Sequence, residues 1–224
     1  MQFDIITIFP KMFDSFLNET LIKKAIDKKI VKINIHNLRK WAKDKHKTVD
    51  DRPYGGGAGM VLMAEPILRA LQDIKKGNKK FKKIKVILFS PSGKYFNQKK
   101  AKSFSGFDQI IFICGRYEGI DARVEKFIDE KISVGPYVLS GGELPAMLVT
   151  EAITRLLPGY MHNQDSLQEE SFIANNLEYP HYTRPEILEV SGKKITVPKI
   201  LLSGNHKEVE KWRKNKMKKI KFCG

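Results

Sequence analysis

The sequence predicts an α/β fold with a mostly parallel sheet, followed by a small, mainly helical C-terminal domain. Apolar, strand-like runs alternate with helical patterns over residues 1–160, and three of those runs end directly in glycine-rich turns. Beyond that point the periodicity weakens and lysines accumulate. Alternating strands and helices are typical of parallel sheets joined by crossover helices. We therefore expect a first domain at 1–160, a linker at 161–176 and a basic domain at 177–224.

The first part of the chain supplies two predicted strands and a long loop. The run "FDIITIF" (3–9) is as apolar as a buried strand, and Pro10 ends it. A helical pattern continues to about Lys28, and "VKINIHN" then alternates as a second strand does. Residues 38–62 are polar and glycine-rich. Loops of this length in a compact domain are usually functional or disordered.

The middle of the chain repeats the alternation. "AEPILRALQDIKK" predicts a helix with Pro66 in its first turn, and "IKVILFS" predicts a buried strand that breaks at "PSG". Asn97 can cap a short helix, after which "QIIFIC" predicts another buried strand. "IDARVEKFIDE" predicts a helix and "KISVG" a short strand. "ELPAMLVTEAITRLL" predicts a strong helix that Pro158 and Gly159 end.

The C-terminal part predicts a hairpin and a basic helix. "EVSGKKITVP" has the pattern of a hairpin, and the final helix opens at Asn205, with Glu208 at the capping-box spacing. Val209, Trp212 and Ile220 supply its apolar positions. The basic residues of this segment are Lys207, Lys211, Arg213, Lys214, Lys216, Lys218, Lys219 and Lys221. Such a helix can hold phosphates, although a solvated lysine-rich tail would have the same composition.

Bulk properties narrow the function classes. Lys and Arg number 41 against 25 Asp and Glu, a net charge of +16, which favours a polyanionic partner, nucleic acid before an acidic membrane. A generally lysine-rich composition is the alternative. The sequence contains no apolar run long enough to span a membrane and no signal-peptide pattern, so we expect a cytoplasmic protein. Cys114, Cys223 and the five histidines show neither a disulfide framework nor metal-ligand spacing.

Three turns follow three predicted strands and share a plan. "LFSPSG", "ICGRYEGID" and "SVGPYVLSGGE" each place glycines and small polar groups directly after an apolar run. Ligands of open α/β sheets bind at the carboxyl ends of strands, where glycines let the backbone approach them. None of these turns matches the dinucleotide or P-loop fingerprint, and neither does "DDRPYGGGAGM" at 50–60. Ordinary connecting loops are the alternative, since glycine is common there.

Five motifs in order carry a family resemblance: "TVDDRPYGGGAGM", "CGRYEGIDARV", "YVLSGGELPAM", "PHYTRPE" and "LLSGNH". With them, the chain from Phe3 to about Trp212 resembles the TrmD-type bacterial tRNA (guanine-N1)-methyltransferases of the SPOUT class. The resemblance implies methyl transfer from S-adenosylmethionine to N1 of guanosine 37 of tRNA, next to the anticodon. It also implies a homodimer and a deep trefoil knot, which connection rules alone would have excluded.

The resemblance assigns the three turns to S-adenosylmethionine. The implied donor-binding residues are Phe89, Ser90 and Pro91 in the first turn, Gly115, Tyr117, Glu118 and Gly119 in the second, and Val134, Gly135, Tyr137, Leu139, Gly141 and Gly142 in the third. Pro136 departs from the family, which usually has aspartate there, and a proline removes one backbone N–H. Magnesium is implied for some members, and no residue pattern here assigns it a site.

The chemistry needs a base and a cation. Guanine N1 carries a proton that must leave before it attacks, and negative charge develops on O6. The resemblance places the general base at Glu170, where the family has aspartate, with Glu169 and Asp165 as alternatives. It places the cation at Arg155, which by position alone would be a surface arginine at a helix C-terminus.

The resemblance also assigns tRNA contacts. They are Asp50 and Arg52 in the long loop, His181, Tyr182, Thr183 and Arg184 after the linker, and Ser203, Gly204 and His206 where the final helix begins. A non-catalytic RNA-binding protein is the main alternative function, but the complete set of donor turns and Arg155 argue against it. A nucleotide-dependent oxidoreductase is disfavoured by the missing glycine fingerprint.

Overall fold

The computed structural model describes residues 1–78, 80–161 and 176–219. The chain forms two compact units, Met1–Met161 and His162–Gly224. Among the helices in these ranges, none is long and apolar enough to cross a bilayer.

The first unit is built on a five-stranded sheet in which every neighbouring pair of strands is parallel, as predicted. The strands of this unit are β1 (Gln2–Thr7), β2 (Lys32–Asn37), β3 (Asp50–Asp51), β4 (Val61–Leu62), β5 (Ile84–Tyr95), β6 (Gln109–Ile113) and β7 (Glu130–Ser133). The sheet order is β2-β1-β6-β5-β7, and β3 and β4 form a separate small hairpin. The carboxyl ends of the sheet strands therefore lie at one edge.

Helices cover both faces of the sheet, because the strand residues alternate between two apolar clusters. The helices are α1 (Asp14–Asn18), α2 (Thr20–Asp27), α3 (Ala64–Gly77), α4 (Gln98–Phe104) and α5 (Glu143–Thr154). Phe3 and Phe112 belong to the cluster that contains buried residues of α2, α4 and α5. Ile6 and Ile111, one position out of phase with them, belong to the cluster that contains α3.

Two predictions in this unit were wrong in detail. The strand after Ile84 does not end at "PSG": β5 runs on to Tyr95 and pairs with β7 on both sides of an irregularity between Phe89 and Lys94. Gly93 permits this close pairing, because a Cβ there would lie 2.5 Å from the backbone nitrogen of Ile132. The segment predicted as a helix from Ile120 forms only a 3-10 helix, Ala122–Phe127, in which Val124 is the one buried residue.

The long loop after β2 contains local structure. A 3-10 helix, Leu38–Trp41, follows β2 and is capped by the Asn37 side chain, which accepts a hydrogen bond from the Arg39 N–H. The β3–β4 hairpin then carries the glycine-rich residues at its tip. Met63 N–H donates to the Val49 carbonyl at 2.8 Å and closes the base of this hairpin.

A buried carboxylate joins three strands of the sheet. Asp4 on β1 accepts hydrogen bonds from the amides of Gln2 and Gln109 at 2.7 Å and of Asn34 at 2.8 Å, and His36 Nε2 lies 2.7 Å away. Burial raises the pKa of this carboxyl, but the hydrogen bonds from His36 and the three amides outweigh it, so the pKa lies below its ordinary value of 3.8. The cluster links β1 to both neighbouring strands.

The second unit is mixed rather than mainly helical in its described part. It contains β8 (Asn176–Leu177), β9 (Ile187–Val190), β10 (Lys193–Thr196), a 3-10 helix (Lys199–Leu202), α6 (His206–Lys216) and β11 (Lys218–Lys219). The hairpin β9–β10 and the Asn205 cap, which accepts from the Glu208 N–H, are as predicted. The helix ends at Lys216, because Lys218 and Lys219 pair with β8. Ile220 and Lys221 lie outside the described residues.

Candidate functional site

The three glycine turns meet in one cavity of about 420 Å³ at the carboxyl edge of the sheet. All the residues predicted to hold the donor line it: Phe89, Ser90 and Pro91; Gly115, Tyr117, Glu118 and Gly119; and Val134, Gly135, Tyr137, Leu139, Gly141 and Gly142. Residues far apart in the chain are thus brought to one place by the strand order. Their role as a donor site stays a prediction.

The second and third turns are fastened to each other through backbone. Gly142 N–H donates to the Gly115 carbonyl at 3.0 Å, and Arg116 and Gly141 form an antiparallel bridge. Gly142 must be glycine for this approach, since a Cβ there would lie 2.7 Å from the Cα of Cys114. The glycines therefore set the separation of the two turns.

The third turn is closed by side-chain hydrogen bonds. The Ser133 hydroxyl donates to the Gly135 carbonyl and the Tyr137 hydroxyl donates to the Val134 carbonyl, both at 3.0 Å. Pro136 sits between these two bonds and lacks an N–H, so the family aspartate's side chain and this donor are both absent from the turn. Val138 is 86% exposed and forms part of the open rim.

The glycine-rich loop lies against the second turn. Glu118 N–H donates to the Met60 carbonyl at 3.1 Å, and Leu62 N–H donates to the Gly119 carbonyl at 3.0 Å. A Cβ on Gly59, which has φ +84°, would lie 2.6 Å from the Glu118 carboxylate. Tyr117 itself has φ +58°, an uncommon backbone conformation that tends to occur at functional sites. The loop that carries Asp50 and Arg52 is therefore a neighbour of the cavity.

Three charged residues at the cavity were missed from sequence: Arg116 and Glu125 line it, and Glu143 lies behind Arg116. Glu143 is completely buried at the start of α5; it accepts from the Thr7 hydroxyl at 2.7 Å and from Arg116 Nε at 2.9 Å. A glutamate at the first position of the apolar segment "ELPAMLV" was the available signal, because a charge there needs a partner. Burial, and then the charge of Glu143, raise the pKa of the Cys114 thiol well above its ordinary value, so this buried cysteine is a poor nucleophile.

The predicted catalytic pair is not brought to this cavity within the described residues. Arg155 follows the last residue of α5, while Gly142 and Pro145 at the other end of that helix line the cavity. A helix of 12 residues is about 18 Å long, so Arg155 stands roughly that far from the cavity of its own chain. Glu170 and its alternatives, Glu169 and Asp165, lie outside the described residues.

The predicted tRNA-contacting residues fall in both units. In the first unit, Asp50 lies on β3 opposite Leu62, and Arg52 is exposed at the start of the hairpin tip. In the second, the residues after the linker are exposed on an extended segment: His181, Tyr182, Thr183 and Arg184. His181 Nε2 lies 3.2 Å from Glu178, and the ring of Tyr182 lies 6.2 Å from that of Trp212.

The remaining predicted tRNA contacts lie at the turn before α6 and at its first residue. Ser203 accepts a hydrogen bond from the Asn205 N–H at 3.2 Å, Gly204 has φ +69°, and His206 is the exposed first residue of the helix. Backbone N–H groups at such a helix start can receive an anion. As for metals, the parts of the chain in the structure hold no cluster of three His, Cys, Asp or Glu side chains that could bind an ion.

Comparisons with known proteins agree on one family. The family model described as tRNA (Guanine-1)-methyltransferase TrmD matches residues 1–221. Among similar curated proteins is a tRNA (guanine-N(1)-)-methyltransferase of Clostridium novyi, 52% identical over 216 residues, which are 96% of this chain and 86% of the relative. The protein of the same name from Dictyoglomus turgidum is 50% identical over 222 residues, 99% of this chain and 87% of the relative.

Proposed function

Since the chain belongs to the tRNA (guanine-1)-methyltransferase TrmD family, we propose that it methylates N1 of guanosine 37 of tRNA with S-adenosylmethionine as the donor. It is an enzyme of the methyltransferase class, and that class implies this donor. The observation that carries the proposal is the single cavity in which all three glycine turns meet.

The cavity fits the donor in size and chemistry. Its volume of about 420 Å³ falls within the range of small-molecule sites. Both backbone groups of Gly142 are already bonded, its N–H to the Gly115 carbonyl and its carbonyl to the Ala146 N–H. Backbone groups at Gly115 and Gly141 can hydrogen-bond the adenine edge and ribose, and Leu139 can pack on the adenine face. When bound, S-adenosylmethionine would supply an electrophilic methyl group: N1 of guanine would form a bond to the methyl carbon as the carbon–sulfur bond on the opposite side breaks, and S-adenosylhomocysteine would leave.

The protein's own contribution is proton removal, charge neutralisation and positioning. We assign the first to Glu170, whose carboxylate would take the N1 proton of guanine, and the second to Arg155, whose guanidinium would face O6. The long loop with Asp50 and Arg52, packed beside Glu118, is suited to hold the target nucleotide next to the donor.

The distance of Arg155 from the cavity of its own chain supports a homodimer. An arginine at the far end of α5, roughly 18 Å along the helix, is better placed to act on a guanine bound to a second chain than on one bound to its own. The face beside the cavity is apolar enough for such a partner: Phe9, Met12, Leu144 and Leu148 are 43%, 39%, 55% and 46% exposed. These residues lie together, because α5 packs against the 3-10 helix Pro10–Phe13.

The remaining parts of the proposal rest on the family resemblance. We assign methyl transfer to 1–160, a linker to 161–176 and tRNA binding to 177–224, and place the enzyme with its substrate in the cytoplasm. The trefoil knot belongs to the same part of the proposal and rests on the resemblance alone. We also propose that magnesium assists the reaction. Methyl transfer should then fall when divalent ions are removed with EDTA.

One assay tests the reaction. The protein is incubated with labelled S-adenosylmethionine and tRNA transcripts that carry G or A at position 37. We expect label only in the G transcript. Binding of RNA without transfer would instead support a non-catalytic RNA-binding protein. Label in both transcripts would mean that the methylated base is not the one at position 37.

A further inference from the structure

We propose that Glu143 is a positioning residue for the methyl donor, acting through Arg116 to hold the second and third turns at the separation that the donor needs. The inference rests on the proposed use of the cavity as the donor site. The family motifs contain Arg116 and Glu143, but the resemblance assigns neither of them a role.

The carboxylate of Glu143 has both oxygens committed. Oε1 accepts from the Thr7 hydroxyl and Oε2 from Arg116 Nε, and the side chain is completely buried. Thr7 Oγ1 in turn accepts from the Phe9 N–H at 2.9 Å. The residue is the first of α5, where the positive end of the helix dipole stabilises a negative charge. Glu143 therefore joins the end of β1, the start of α5 and the second turn.

Arg116 is clamped on several sides. Its guanidinium carbon lies 4.6 Å from the centre of the Phe9 ring, and Nη2 lies 3.1 Å from the Met12 sulfur. It stands between Gly115 and Tyr117 in the cavity wall, and its backbone bridges Gly141. Gly141 has no room for a side chain, because a Cβ would collide with the Arg116 guanidinium and the Glu143 carboxylate. The ion pair and this glycine occupy one packed arrangement.

Loss of the pair should be felt in the turns. Removing one partner of a buried ion pair leaves the other charge uncompensated, so the remaining group moves toward water. In Glu143→Gln the side chain loses its negative charge and keeps only one acceptor oxygen, which cannot serve both Arg116 Nε and the Thr7 hydroxyl. The hold on Arg116 is therefore weakened, and with it the hold on the second turn, which is bonded to the third at Gly115 and Gly141.

A matched glutamate separates positioning from general stability. Glu130, at the start of β7, is largely buried and accepts from both Lys85 and Lys100. It lies at the amino end of its strand, whereas the cavity lies at the carboxyl end. Glu130→Gln should therefore lower the unfolding temperature without weakening the binding of the donor.

The test is a double-mutant cycle on donor affinity. S-adenosylhomocysteine, the product of the proposed reaction, is titrated calorimetrically into wild type, Glu143→Gln, Arg116→Gln and the double variant, with Glu130→Gln as control. We expect Glu143→Gln and Arg116→Gln each to bind S-adenosylhomocysteine about tenfold more weakly than wild type. The double variant should bind no more weakly than the single variant with the lower affinity. In turnover, the KM for S-adenosylmethionine should rise while the KM for tRNA stays unchanged.

Each outcome has one meaning. If wild type does not bind S-adenosylhomocysteine, the proposed function fails before this inference is reached. If wild type binds and Glu143→Gln binds equally well, the inference is overturned. It is also overturned if the two losses add, or if Glu130→Gln weakens binding to the same extent. Should Glu143→Gln fail to fold, Arg116→Lys takes its place, because it keeps the charge and loses Nε.

Discussion

Gly142 is the glycine of the cavity wall whose Cβ would collide with backbone rather than with a side chain. A methyl group there would lie 2.7 Å from the Cα of Cys114, so Gly142→Ala must push the third turn away from the second. We expect a loss of about 1–3 kcal/mol of stability and much weaker binding of S-adenosylhomocysteine, measured by thermal unfolding and calorimetry. Gly77→Ala is the control, because no atom lies within 4 Å of a Cβ there. Equal losses in both variants would contradict the argument.

Glu170 is the residue on which the proposed chemistry depends most. Glu170→Gln keeps the size of the side chain but cannot accept the N1 proton of guanine, so methyl transfer should stop while S-adenosylhomocysteine still binds. Single-turnover assays and calorimetry check the two halves. Glu169→Gln and Asp165→Asn serve as comparisons, and near-normal turnover in Glu170→Gln together with loss in either of them would relocate the base.

At the scale of elements, Asp4 fastens three strands, and its pKa gives the fastening a pH dependence. The folded pKa lies below the ordinary value of 3.8, so the carboxylate stabilises the fold above that value and ceases to do so as the pH falls through the folded pKa. Asp4→Asn should cost about 2–3 kcal/mol near neutral pH, because an amide nitrogen would face donors.

Urea unfolding of wild type and Asp4→Asn at about pH 7 and about pH 3 measures this difference. The gap between the two proteins should narrow at the lower pH, because that pH lies below the ordinary value of 3.8, where the unfolded chain already takes up the proton and the wild-type carboxylate contributes less to stability. A gap that stays constant would mean that the cluster acts by shape alone.

Helix α6 is the element that we expect to hold tRNA phosphates. Lys207 and Lys211 are exposed on it, one turn apart. Replacing both with Gln should weaken tRNA binding and flatten its dependence on salt by about two units of slope, one for each phosphate that no longer faces a lysine. Lys75 and Lys76 of α3 are replaced in a control protein of the same net charge. An equal effect there would show that only overall charge matters.

The sequence predicted those elements whose signal is local. Asn97 and Asn205 cap their helices through a side-chain oxygen that accepts from the N–H three residues later, so both partners lie within one short stretch of sequence. The continuation of β5 past Phe89 depends on the backbone of Ile132, which no neighbouring residue reveals.

The candidate site divides in the same way. The glycine turns could be predicted because each is a continuous motif, whereas the ion pair of Arg116 and Glu143 joins residues 27 positions apart. That pair became visible only once the strand order had brought β1, β6 and α5 together.

For the whole molecule, the position of Arg155 predicts that two defective chains can repair each other. Arg155→Ala keeps its cavity, and Gly142→Val keeps its arginine. Each variant alone should be inactive. In a mixed pair, the intact cavity of one chain meets the arginine of the other, so mixing folded variants should restore activity in about a quarter of the sites.

The mixing assay uses subunits exchanged by mild denaturation and refolding, followed by methyl transfer to tRNA. Wild type treated in the same way is the control for recovery. If Arg155 acted in the cavity of its own chain, every mixed pair would remain dead and no activity would return.

The placement of Arg155 also predicts that activity depends on the concentration of chains. In the proposed dimer, each chain carries its own cavity, so binding of the donor should not depend on the concentration of chains, whereas the guanidinium would come from the partner. Turnover per chain should therefore fall as the enzyme is diluted below the concentration at which chains pair, while donor retention does not. A cell that makes too few chains would thus hold methyl donor on solitary subunits without modifying tRNA.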